Sequence, residues 1–261
     1  MHTQAAIEAI LAEGWVRDIQ WYSQIDSTNS AARQACSQSA ATQANLPALF
    51  VADKQTAGRG RQQRSWWSPS GCLMLTLAVG PQSLPVEQHD WCQLALVSGL
   101  AVANTVARFV DSSDVYVKWP NDVYVKGKKI AGILIESDAK VWLIGIGLNV
   151  CMNWSDAPAE VASKATCISA SVLHEVEPAV VLVELMDELR ETLTAWQAGQ
   201  LAWLEAWHQR CLLAGRVIHA RLSEHQQVVG VCEGVDQQGR LIVRDESRVH
   251  FLTAGEVVAW Q

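Results

Sequence analysis

No Cys-x-x-Cys pair occurs among the seven cysteines of this 261-residue chain. Spread over Cys36, Cys72, Cys92, Cys151, Cys167, Cys211 and Cys232, an odd set without common spacing suits free thiols in a reducing cytoplasm and argues against a disulfide framework. No His-x-x-x-His or mixed His/Cys cluster is present, so no transition-metal site is indicated. The G-x-S-x-G elbow of serine hydrolases and the G-x-x-x-x-G-K-[ST] loop of nucleotide triphosphatases are both absent. Positive charge is short as well: 20 Lys and Arg against 27 Asp and Glu give a net charge of −7, which excludes a general affinity for the phosphate backbone of nucleic acid. The longest apolar stretch, 91–110, is interrupted by Gln93, Ser98, Asn104 and Arg108 and reads as a buried core helix, not as a membrane span. The N-terminus has no basic start and carries Glu8 and Glu13 where an export signal would be apolar, so none is expected and the location expected is cytoplasmic. Internal repeats and low-complexity tracts are missing too.

What is present is enough apolar material, 49% of residues, to pack one large domain and one small one. A short amphipathic helix is expected around 5–13, a strand at 19–22, and then Asp26-Ser27-Thr28-Asn29 as a turn and helix N-cap. A polar loop at 37–45 leads to an apolar strand at 48–53. After a Gly-, Pro- and charge-rich segment at 58–71, strands are expected at 73–79, 115–119, 123–125, 130–136 and 141–150, with the core helix between the first two. Pro178 opens a helical pattern carrying Leu182, Leu185, Met186, Leu189 and Leu193 on one face, and a second helix is expected over 201–213. Beyond Gly215 the texture changes to short strands with a tight turn at Asp236-Gln237-Gln238-Gly239. The division is therefore a large unit, 1–213, and a small β-barrel, 214–261.

Three segments carry chemistry. Gly58-Arg59-Gly60-Arg61-Gln62-Gln63-Arg64-Ser65-Trp66 puts three guanidinium groups within six residues of an acidic protein. Glycines let backbone N–H groups approach an anion, arginines add bidentate charge-assisted bonds, and a tryptophan just beyond can stack on a base. Taken alone, such a run is a basic turn in water; the neighbouring Trp66 and Trp67 favour a nucleotide. It is not a dinucleotide fingerprint, because Gln63 stands where the third glycine belongs. Lys118-Trp119-Pro120-Asn121-Asp122 gathers an ammonium, an amide and a carboxylate at what is otherwise a hairpin corner. Lys129, just before the apolar run 130–135, reads by itself as a solvated strand-edge lysine.

Together, Ser27-Thr28-Asn29, Gln55, the GRGR-x-x-R-x-W loop, KWPND, KKIAGILIE and GIGLN resemble the biotin protein ligase family in order and spacing, over nearly the whole chain. The resemblance implies an α+β fold, a mixed β-sheet flanked by helices of the class II aminoacyl-tRNA synthetase/biotin ligase type, with a small C-terminal SH3-like β-barrel. It implies an ATP-dependent, AMP-forming ligase that joins biotin to ATP with Mg²⁺, makes biotinyl-5′-AMP, and passes biotin to a lysine of the biotin carboxyl carrier protein of acetyl-CoA carboxylase. On this resemblance Ser27, Thr28, Asn29 and Gln55 hold the ureido head of biotin, while Arg59, Gly60 and Arg61 form the loop over its carboxylate. Lys129 bridges that carboxylate and the α-phosphate, and Arg61, Arg64 and Lys118 share the phosphate charge. Trp66 covers the adenine, Asn121 and Asn149 add hydrogen bonds on the nucleotide side, and Asp122 positions or deprotonates the acceptor lysine or contacts ligand or metal. The Mg²⁺ ligands stay unassigned, and the resemblance fits either a monomer or a homodimer.

Two departures from the family pattern matter. Only 26 residues precede Ser27, too few for the winged helix-turn-helix of the repressor members, so neither DNA binding nor a membrane partner is expected. Gly71-Cys72-Leu73-Met74 is less aromatic and amide-rich than the family shows after its Ser-Pro turn. The competing readings are a lipoate or octanoate ligase on the same fold, and a biotin-responsive regulator or vitamin-binding module without catalysis. The loop and the C-terminal unit favour biotin over lipoate, and the number of phosphate-directed cations favours an enzyme over a binder.

Overall fold

A computed structural model describes residues 3–38, 43–84, 91–138 and 141–261. Among them the strands form two sheets. The larger has seven strands in the order β1-β2-β3-β7-β6-β5-β4: β1 Asp18–Tyr22, β2 Ala48–Ala52, β3 Cys72–Val79, β4 Val115–Lys118, β5 Asp122–Val125, β6 Lys128–Asp138 and β7 Val141–Asn149. The β1–β2 pair is parallel and the others are antiparallel, so the sheet is mixed as expected.

Alternation along the central strands sorts the two faces. Leu49 and Val51 of β2, Leu73, Leu75, Leu77 and Val79 of β3, and Ile144, Ile146 and Leu148 of β7 point into one large core. Helices α1 Thr3–Ala12, α3 Trp91–Ala107 and α5 Pro178–Gln197 pack on that side. Three of the four residues that argued against a membrane span are used within this layer. Asn104 Nδ2 donates to Glu188 Oε1 at 2.8 Å, Arg108 Nη2 to Glu188 Oε2 at 3.0 Å, and Gln93 Oε1 accepts from Trp196 Nε1 at 2.7 Å. These half-buried and exposed polar groups on α3 thus find partners on α5, whereas the Ser98 hydroxyl is buried without one.

The opposite face is covered only in part. Helix α2, Thr28–Gln38, lays Ala31, Ala32 and Cys36 on Ala48, Phe50, Ala78 and Leu143. Its small side chains let it approach closely, and burying Phe50 there contributes about 2–3 kcal/mol. Beyond its N-terminus the sheet presents Thr76, Gly132, Gly145 and Gly147, which are neighbours across strands: Gly132 pairs with Gly147 and Thr76 with Gly145. This bare patch is where the cleft lies.

The last strands, β8 Val217–Arg221, β9 Gln227–Val235, β10 Leu241–Arg244, β11 Val249–Leu252 and β12 Glu256–Trp260, make an antiparallel sheet ordered β11-β10-β9-β8-β12. A barrel is the sequence expectation; among the described residues the end strands β11 and β12 share no ladder, so the sheet is open. The expected turn at Asp236–Gly239 is formed. Asp236 Oδ1 accepts from the N–H groups of Gln238 and Arg240, and Gly239 takes φ 76°. Glycine is required twice over, since a Cβ there would also sit 3.0 Å from the backbone nitrogen of Gln93. The turn thereby docks the small sheet on α3, and its carbonyl at Gly239 accepts from the buried indole of Trp119 at 3.3 Å.

Helix α6, Ala202–Gln209, stops four residues short of the expected 213. Its apolar pattern continues, but Val117 N–H donates to Arg210 O and Leu212 N–H to Val117 O, so the chain there becomes a bridge to β4. The short helix α4, Ala159–Lys164, had no sequence expectation. Of the loop expected at 37–45, residues 39–42 lie outside the described residues.

Candidate functional site

One cleft of about 970 Å³, counting its open mouth, lies over the glycine patch. Its wall takes in Ser27, Thr28, Asn29, Gln55, Arg59, Gly60, Arg61, Arg64, Trp66, Lys118, Asn121, Asp122 and Lys129. Residues 102 apart in sequence thus face one space because α2, the 58–71 loop, the β4–β5 corner and the start of β6 all end at the same edge of the sheet. Asn149 is the one expected site residue that does not line the cleft. It is buried at the end of β7, where its Nδ2 donates to Thr166 O at 2.9 Å.

At one end the polar groups are already satisfied by one another. Gln55 Oε1 accepts from the Thr28 N–H at 2.8 Å, and Gln55 Nε2 donates to Ser68 Oγ at 3.3 Å. Thr76 Oγ1 lies 2.8 Å from Thr28 Oγ1 and 2.5 Å from Asn29 Oδ1. Ser27, Thr28 and Asn29 are each less than 5% exposed, so this end is a preorganised set of donors and acceptors in a dry wall. A Cβ at Gly145 would fall 2.3 Å from Asn29 Oδ1, which is why that strand position carries no side chain.

The floor is built to hold a ring. Trp66 lies on Gly132 and Gly147, where added Cβ atoms would approach the indole to 3.1 and 2.6 Å. The Lys129 ammonium sits 5.3 Å from the ring centroid and 2.5 Å from Asp122 Oδ1. Opposite charges held this close, beside an aromatic face, place a cation at the centre of the cleft.

The far end is cationic and shared with the small sheet. Lys118 is 6% exposed; its Nζ donates to Val257 O at 3.1 Å and lies 5.0 Å from the Trp260 ring. Burial lowers its pKa, with Asp122 opposing the shift. Burial likewise lowers the pKa of Arg61, again opposed first by Asp122; Arg61 Nη1 reaches Asn121 Oδ1 at 3.4 Å. Arg64 forms a two-pronged ion pair with Glu256 of β12, at 2.5 and 2.6 Å, and Arg221 reaches the same carboxylate at 2.9 Å. The hydrogen bonds from Arg64, and then from Arg221, hold Glu256 down to about 2.

An arrangement with neutral donors and acceptors at one end, an aromatic floor, and Lys118, Lys129, Arg61 and Arg64 at the other fits an elongated ligand that is polar at its head and anionic further along. Several of its members were not read from the sequence. Thr76 and Glu256 lie in no motif, Glu136 closes the KKIAGILIE segment without a role read for it, and the glycine patch emerges only when β6 and β7 are placed side by side. The GIGLN segment, with Gly145 and Gly147, and the KKIAGILIE segment, with Gly132, were the hints of that patch.

A model of the biotin/lipoate A/B protein ligase family matches residues 21–154, and a model of the biotin protein ligase C-terminal domain matches residues 214–260. A biotin–[acetyl-CoA-carboxylase] ligase of Mycobacterium tuberculosis is 33% identical over 212 residues, which is 80% of this chain and 78% of that protein. The ligase of the same name from Paracoccus denitrificans is 33% identical over 220 residues, 80% of this chain and 89% of that one. Among solved structures, the biotin protein ligase from Aquifex aeolicus in complex with biotin and ATP matches with a TM-score of 0.80 at 25% identity, covering 94% of this chain and 99% of that one.

Proposed function

The chain belongs to the biotin/lipoate A/B protein ligase family and is a biotin protein ligase; we propose how its cleft performs the two half-reactions. Ser27, Thr28, Asn29 and Gln55 receive the ureido head of biotin, and the Arg59-Gly60-Arg61 turn closes over the carboxylate. Trp66 carries the adenine, Asn121 serves the nucleotide side, and Arg61, Arg64 and Lys118 neutralise the phosphates. Asn149 acts from behind the wall through its bond to Thr166. The single observation that supports this assignment most is that one cleft joins the satisfied polar end to the four cations across the Trp66 floor.

In the first step a carboxylate oxygen of biotin attacks the α-phosphorus of ATP. The bond to the bridging oxygen breaks, pyrophosphate leaves, and biotinyl-5′-AMP remains. Two anions must meet, and the Lys129 ammonium turns from Asp122 to stand between them, where negative charge grows. In the second step the ε-amine of the acceptor lysine attacks the acyl carbon and AMP departs. Asp122, freed from Lys129, is placed to position that amine or take its proton. Mg²⁺ would accompany the phosphates of ATP. Among the described residues the carboxylates lining the cleft are Asp122 and Glu256, and Glu256 is engaged by two arginines, so Asp122 would be the residue to hold the cation, which would supply charge neutralisation for the phosphates.

The acceptor is the carrier domain of acetyl-CoA carboxylase, the protein in the names of the M. tuberculosis and P. denitrificans relatives. The seven free cysteines favour a cytoplasmic setting. The test is a streptavidin blot of a carrier domain incubated with protein, biotin and MgATP. Labelling of one lysine is expected; lipoylation of carrier domains without biotinylation would overturn the substrate.

A further inference from the structure

Glu136 stands on β6 in the KKIAGILIE segment, beside the cleft but not in its lining, and none of the steps above uses it. Its carboxylate joins two parts of the site that are otherwise separate. Oε2 accepts from Asn29 Nδ2 at 2.7 Å and from Arg59 Nη2 at 3.2 Å, while Oε1 meets Arg33 Nη2 at 3.2 Å. Asn29 and Arg33 belong to α2, and Arg59 belongs to the glycine–arginine loop.

The chemistry of the three donors is restrictive. A carboxylate only accepts, so the Asn29 amide must turn its NH₂ toward Glu136 and its carbonyl toward Thr76 Oγ1. That carbonyl occupies the space above Gly145, so the amide has one fitting orientation. The same oxygen that fixes Asn29 also holds Arg59, and among the described residues Glu136 is the carboxylate that pairs with both guanidinium groups. An uncharged amide in place of Glu136 would present an NH₂ to at least one of three donors. It could keep Asn29 or Arg59 but would lose the counter-charge for both arginines.

We infer that Glu136 is a positioning residue that ties the Arg59 end of the Gly58–Trp66 loop to the biotin-head cluster, so that head-group recognition and the order of that end rise and fall together. The inference rests on the reading of Ser27, Thr28, Asn29 and Gln55 as the biotin-head residues. Its consequence is a selective one: loss of Glu136 damages the biotin end and the Arg59 end of the loop, and spares the nucleotide side of the same loop, where Arg61 is held by Asn121 and Arg64 by Glu256.

Glu136→Gln tests this with the full-length protein. Biotin Kd is expected to rise about tenfold, equivalent to about 1.4 kcal/mol, with kcat within about threefold and the ATP KM within about twofold of wild type. Trypsin digestion without any ligand is expected to cut after Arg59 or Arg61 at least about fivefold faster, as a loop released from its anchor opens more often. Arg33→Met removes a partner of the same carboxylate outside the cleft and should leave biotin Kd within about twofold, which a general structural role for Glu136 would not allow. Glu136→Asp keeps the charge one methylene further back; it should fall between wild type and Glu136→Gln, and it serves the same test if Glu136→Gln does not purify folded. Wild-type biotin affinity with an unchanged trypsin rate would overturn the inference, as would equal losses for biotin and ATP. Failure of wild type to bind biotin would instead contradict the substrate reading, and the ligand-free trypsin comparison would still judge the tie between Glu136 and the loop.

Discussion

Lys129 is the residue on which the two readings of this sequence diverge. Beside an apolar strand it reads as an edge lysine. In the structure its ammonium is held between Asp122 and the Trp66 ring in the middle of the cleft. A cation needed most when carboxylate and phosphate meet contributes to the transition state more than to the ground state. Lys129→Ala is therefore expected to slow biotin-dependent pyrophosphate exchange at least about a hundredfold, on the order of 3 kcal/mol, while biotin Kd changes by less than about tenfold. Exchange at the wild-type rate would return Lys129 to the edge of the sheet. The motif residues were legible because each is part of a short, local signature. Glu136, Thr76 and Glu256 were not, because what defines them is a partner 107, 47 or 192 residues away, and no local pattern encodes such a pairing.

At the scale of elements, the decisive feature is a sheet face left bare. β6 and β7 were legible as apolar strands, but which of their residues form a floor depends on the register Gly132 opposite Gly147. The helix over 201–213 was overextended for a related reason: periodicity describes a face, and cannot tell where the chain is captured by β4. Gly147→Ala tests the floor. With the new Cβ 2.6 Å from the indole, Trp66 must shift, and calorimetry should show biotin and ATP each bound at least about tenfold more weakly, with thermal stability little changed. Unaltered affinities would mean that Trp66 does not rest on this strand when ligand is bound. β12 offers a second test. Glu256 is held at about 2, below its ordinary 4.5, so its stabilising contribution is complete above pH about 4.5 and disappears as pH falls toward about 2. Urea midpoints of wild type and Glu256→Gln should differ at pH 6 and converge as pH approaches 2. A difference that persists unchanged at low pH would assign the effect to packing instead of charge.

Across the whole molecule, the two sheets meet at the cationic end of the cleft through Lys118 to Val257, Arg64 to Glu256 and Trp119 to Gly239. The change in texture after Gly215 falls where the C-terminal domain model begins its match, 214–260, and we propose 214–261 as a second unit. What composition could not tell is that this unit supplies part of the wall, Gly255 and Glu256. The central claim is that this one cleft activates biotin on ATP, and biotin-dependent exchange of labelled pyrophosphate into ATP measures that step without any acceptor. The account predicts exchange with biotin that depends on MgATP and is at least about tenfold slower with lipoate or octanoate at equal concentration. Exchange driven by lipoate or octanoate and not by biotin would contradict it.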